Sequence, residues 1–136
     1  MAKVTGVGGV FFRTRNPEAL GRWYREQLGV PLGEEGYGDF EWRVRDDPER
    51  VGRTVFSLFP DETDYFGSDP AAFMVNFRVD DLEALLEELR EAGVEVAEEV
   101  EEHPYGKFGW ITDPEGRRIE LWEPVDPREP LARDTA

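Results

Sequence analysis

Two spacings of apolar residues alternate along the chain. Residues Val7 to Thr14, VGGVFFRT, form an apolar run bounded by polar residues, the pattern of a strand. The spacing then lengthens. Leu20, Trp23, Tyr24 and Leu28 recur at three and four residues, which predicts a helix with one apolar stripe turned to the core. Asn16 stands where its side chain can cap the first turn, and Pro17 takes the first helical position, where no amide hydrogen is needed. Gly29 ends the helix because it accepts a left-handed backbone. Short strands are predicted near 30–35, at about 39–45 and at about 53–59.

The order then starts again. A strand is predicted at 73–79, and Asp80 or Asp81 caps a second helix carrying Leu82, Leu85, Leu86 and Leu89 on one face, with Gly93 as its stop. Strands follow near 94–101, 106–112 and 117–122. The last two are joined by Asp113-Pro114-Glu115-Gly116, in which proline pre-sets one dihedral and glycine accepts a positive one. The residues themselves recur as well. FRTRNPEALGRWYREQLGV at 12–30 parallels FRVDDLEALLEELREAGV at 77–94, and VFSLFP at 55–60 parallels IELWEP at 119–124.

The chain is therefore expected to be α+β, with two βαβββ modules in one domain over 5–124. The modules span 7–60 and 73–124. Between them the linker 61–72 carries Tyr65 and Phe66, which either pin it to the body or line a pocket mouth. The tail 125–136, with prolines and few apolar residues, is expected to be an arm or partly disordered.

Composition narrows the chemistry. The chain has 31 acidic and 16 basic residues, a formal charge of −15 that repels nucleic acid and anionic membranes. With no cysteine there is no disulfide, thiolate nucleophile or zinc–cysteine site. No apolar run is long enough to span a bilayer and the N-terminus lacks a signal-peptide pattern, so the cytoplasm is the expected location. One residue stands out. Glu120 lies between Ile119 and Leu121 on a strand, so it points to the face opposite its apolar neighbours, into water or into a pocket. If buried it needs a partner, for which Arg13 and Arg78 are the expected cations.

The paired modules, the segment NPEALGRWYREQLGV and the closing DPEGRRIELWEP together resemble the vicinal oxygen chelate superfamily. That is the fold group of glyoxalase I, extradiol dioxygenases, fosfomycin resistance enzymes and bleomycin resistance proteins. The resemblance implies that each module curls into half of a cup-shaped mixed sheet and that such units pair as homodimers. It also implies a metal-facing position on the first and last strand of each module. Here the repeat places these at Gly9, Ser57, Met74 and Glu120, of which only the glutamate suits a divalent ion. The expectation is therefore that no cofactor is held, with a divalent metal at a noncanonical site as the disfavoured alternative.

Counting by twos from those positions gives an inner face of Phe11, Arg13, Val55, Phe59, Asn76, Arg78, Arg118 and Trp122. The alternate residues Val10, Phe12, Val75, Phe77 and Val79 are uniformly apolar and suit packing under the helices. Phe11, Arg13, Ser57, Phe59, Met74, Asn76, Arg78 and Trp122 are the candidate ligand-binding residues, apolar walls with sparse polar anchors. Glu120 and His103 are the candidate acid–base groups. His103, Tyr105 and Lys107 fall in a loop-like segment near the expected entrance. Trp23 and Tyr24 are expected in the core, while Trp42 and Trp110 face either the cup or a partner.

The leading expectation is a metal-free protein that binds an aromatic or cationic small molecule, in the manner of resistance proteins. The alternative is a lyase, isomerase or dioxygenase using Glu120. A structural or interaction role, with the cup filled by side chains, stands third.

Overall fold

A computed structural model describes residues 2–67 and 70–125. The tail expected to be an arm therefore lies outside the described residues, apart from Val125. The elements run β1 Val4–Thr14, α1 Pro17–Leu28, β2 Tyr37–Val44, β3 Asp47–Pro60, β4 Phe73–Val79, α2 Leu82–Glu91, β5 Glu95–Val96, β6 Glu101–His103, β7 Gly106–Thr112 and β8 Arg118–Pro124. They make one eight-stranded mixed sheet in the order β2-β3-β1-β4-β8-β7-β5, with β6 paired to β7. β1 and β3 are parallel, as are β4 and β8, each pair being spanned by a helix. β1 and β4 run antiparallel and join the two halves. The architecture is α+β, as the sequence predicts.

Both helices begin as their capping residues dictate. Asn16 accepts from the Ala19 amide at 3.0 Å, and Asp81 does the same for Ala84 at 3.1 Å. Asp80, the other candidate, bonds instead to the Lys3 amide at 2.8 Å. Gly29 closes α1 with φ 70, and Gly93 follows α2 with φ 86. The turn at 113–116 forms around Asp113, whose carboxylate accepts from the amides of Glu115 and Arg117.

Three expectations need correction. The strand near 30–35 is only an isolated bridge, Leu32 to Gly38, since the chain turns at Gly36 to start β2. The strand at 94–101 is two short pieces, β5 and β6, and His103 ends the second rather than lying in a loop. Trp23 is 50% exposed, not core. Helix α1 approaches the sheet through buried Gly21, against Leu58, and a residue two positions on points about 200° away. Tyr24 does pack inward, its ring 5.1 Å from Phe56.

Two apolar layers result, one on each face. Under α2, Val79, Leu82, Leu86 and Leu121 are buried with Phe77 and Ile119 against them. On the opposite face Phe11, Phe66, Met74, Phe108, Trp110 and Trp122 are buried, with Val55, Phe59 and Tyr65 packed on them. The period-two alternation thus separates helix-covered positions from the aromatic inner face.

Candidate functional site

Glu120 lies at the centre of the inner face, 1% exposed. Strand register supplies two of its partners. Asn76 is its neighbour across β4 and Trp110 its neighbour across β7. The Asn76 Nδ2 donates to Oε1 at 2.6 Å, and the Trp110 Nε1 donates to Oε2 at 3.0 Å. The third partner comes from the linker, where the Tyr65 hydroxyl also donates to Oε2. The expected ion pair with Arg13 or Arg78 is absent among the described residues, because neutral donors on adjacent strands and the linker occupy the carboxylate first.

Burial and hydrogen bonding oppose each other at this carboxylate. Burial raises its pKa above the ordinary value, while the bonds from Tyr65, Asn76 and Trp110 and the charge of Arg118 pull it down; burial prevails. Tyr65 is pushed well above the ordinary phenol value, first by burial and then by the Glu120 charge. It therefore remains a donor at any physiological pH.

Aromatic rings surround this network. Tyr65 stacks on Phe59 at 5.3 Å, and Phe11 lies 5.6 Å from Phe59. Phe66 is fully buried and lies under the Arg13 guanidinium at 4.8 Å. Phe108 stacks on Trp122 at 5.9 Å, and Tyr105 and His103 continue the aromatic strip outward.

The structure brings Phe11, Phe59, Met74, Asn76, Trp122 and Glu120 to this face, with Ser57 between Val55 and Phe59 on β3. Arg13 and Arg78 are separated along it. Arg78 is level with Gly6 on β1, whereas Arg13 lies at the other end of the strand, bonded through its amide to Ala72. His103 is exposed and pairs with Glu101 at 3.0 Å, so it makes no contact with the Glu120 network.

Tyr65 and Trp110 are network members that the sequence reading did not assign. Trp110 is readable in hindsight. Counting outward from the turn, where Thr112 pairs with Arg118, places it opposite Glu120. Tyr65 carries no such signal, since a linker has no register.

The four positions that the resemblance marks for a metal do not fit one. Strand β1 bulges at Gly8, between the pairs Val7–Phe77 and Gly9–Asn76. At Gly9 itself there is no side chain to bind an ion, and a Cβ there would lie 2.9 Å from the Phe11 ring and 3.0 Å from the Val55 carbonyl oxygen, so a ligating residue would be crowded. Met74 is packed in the core at 1% exposure. Both Glu120 oxygens already accept bonds from the protein, and no group of three or more His, Asp or Glu able to hold an ion occurs among the described residues. No helix among the described residues is long and apolar enough to cross a membrane.

Comparison with known proteins bears on the fold and the family. No curated protein sequence matches the chain. Among solved structures, methylmalonyl-CoA epimerase from Mycobacterium tuberculosis superposes with a TM-score of 0.61 at 21% identity, over 90% of this chain and 89% of that one. A Streptomyces coelicolor methylmalonyl-CoA epimerase in complex with 2-nitronate-propionyl-CoA gives 0.66 at 15% identity, over 90% and 99%. The Mn(II)-bound glyoxalase from Novosphingobium aromaticivorans gives 0.57 at 18% identity; all of this chain matches 44% of that one. At these identities the likeness establishes the fold alone. The family model for the glyoxalase-like domain matches residues 9–122, and the chain belongs to that family, within the vicinal oxygen chelate superfamily.

Proposed function

We propose that the protein binds a small aromatic molecule on the inner face of its sheet, without a metal ion. The observation that carries this reading is the make-up of that face: Phe11, Phe59, Phe108, Trp110 and Trp122 around one buried carboxylate already held by three protein donors. Apolar walls with few polar anchors suit recognition of a planar organic ligand. Tyr65, Asn76 and Trp110 take three of the roughly four lone-pair sites of the carboxylate, which leaves it one for any further partner.

Metal-free binding has a direct test. Manganese, iron, nickel and zinc, each added in excess, are expected to leave the melting temperature unchanged and to remain unbound after gel filtration. Aromatic ligands are expected to raise the melting temperature with concentration, as mass action requires. Stoichiometric metal retained by the wild type and lost in Glu120→Ala would overturn the metal-free reading.

One observation favours a second reading, an enzyme of lyase, isomerase or dioxygenase type. Burial raises the proton affinity of Glu120, which suits a general base. On that reading Glu120→Gln loses all turnover of a carbon acid, and unchanged turnover excludes Glu120 as the base.

A further inference from the structure

Among the described residues, Arg78 is a buried cation without a counter-ion. It is 8% exposed, yet its Nε has no hydrogen-bond partner and it enters no ion pair among the described residues. Two arginines nearer the surface are paired: Arg53 meets Glu41 at 3.1 Å and Arg117 meets Glu115 at 3.2 Å. What sets Arg78 apart is burial: among the described residues it is the one buried arginine.

The surroundings hold the guanidinium by its faces. It lies 4.9 Å from the Trp42 ring and 6.0 Å from the Trp122 ring. The Trp42 ring is itself fixed, its Nε1 donating to Thr54 at 2.9 Å. Glycines leave the space: a Cβ on Gly52 would strike Arg78 Nη1 and Trp42, and one on Gly8 would press on the Arg78 stem and Trp122. Ring contacts engage a guanidinium's faces and leave its N–H edge free, and that edge matches a carboxylate bidentately. Burial and the nearby charge of Arg50 lower the arginine's hold on its proton, which marks a site short of negative charge. From Trp122 the aromatic strip continues through Phe108 to Tyr105, which is 43% exposed.

We propose that Arg78, framed by Trp42 and Trp122, receives the carboxylate of a planar aromatic acid whose ring lies along Trp122 and Phe108. The inference rests on the small-molecule reading and reverses the cationic ligand class expected from net charge. The overall field disfavours polyanions, so a single carboxylate is the fitting charge.

Four probes separate the terms: 2-naphthoate, neutral 2-naphthamide, cationic 2-naphthylmethylamine and acetate. Calorimetry is expected to show 2-naphthoate binding about tenfold tighter than the amide, the worth of one charge-assisted bond. Arg78→Met should weaken 2-naphthoate binding about tenfold and erase that difference. Equal binding of acid and amide, or preference for the amine, would overturn the anion site and leave the small-molecule reading intact. If no naphthalene probe binds, that reading fails, and acetate decides the anion site alone. A saturable shift of the Arg78 Nε–Hε resonance supports it, and no shift overturns it. A chain ending at Val125 covers the remaining source of anions. Binding of 2-naphthoate only in that shortened form would make the chain's own carboxylates the occupant and would also overturn the proposal.

Discussion

Glu120→Ala is expected to lower the unfolding free energy by about 3–5 kcal/mol, the cost of removing one partner from a buried charged network. The variant leaves the Tyr65 hydroxyl, the Asn76 amide and the Trp110 indole N–H without their acceptor at a position only 1% exposed. Urea denaturation of the wild type and the variant measures the difference. A loss under about 1 kcal/mol, the scale of an ordinary surface change, would mean that water replaces the carboxylate and that the face is wet.

The same residue sets a pH dependence whose sign follows from burial. Its folded-state pKa is raised, so the folded form holds the proton more tightly than the unfolded chain does. Its contribution is fully present below the ordinary carboxylate range and is lost as pH rises through the raised value. The stability of the wild type minus that of Glu120→Gln, measured across pH, is therefore expected to fall as pH rises; the subtraction removes the other carboxylates. A difference that grew with pH would show that the three donors outweigh burial.

Phe66→Ala is expected to cost a further class of energy, about 3–5 kcal/mol, from the cavity left by a fully buried ring. Phe66 packs edge-on against Phe59 at 5.5 Å and supports the Arg13 guanidinium. It also follows Tyr65, so its loss frees the linker that holds the phenol on Glu120. Phe73→Ala is the control, because Phe73 is 44% exposed at the start of β4. Its change is expected within about 0.5 kcal/mol. Equal losses at the two positions would show that Phe66 is not an anchor.

These effects mark the limit of what the sequence reading reached. Helix α1 was legible because Asn16, Pro17 and Gly29 act through local geometry, and each does its work within a few residues. The division into an aromatic inner face and a helix-covered face was legible because strand alternation is strict: Phe11, Met74, Asn76 and Glu120 fall on one side, Phe77, Val79 and Leu121 on the other. Trp23 was misplaced because a helical stripe gives a period and not the point of closest approach, which Gly21 takes.

The sequence by itself determined the α+β architecture, the inward position of Glu120 and the poverty of metal-binding residue types beside it. Those follow from local periodicity, turn chemistry and composition, which act over short stretches of chain. Only the tertiary structure decided what Glu120 bonds and what Arg78 lacks. Tyr65 reaches the carboxylate across 55 residues of sequence. Arg78 meets Trp42 through the β2–β3–β1–β4 order of the sheet. Such partners are chosen by where distant elements pack, and no local propensity encodes that.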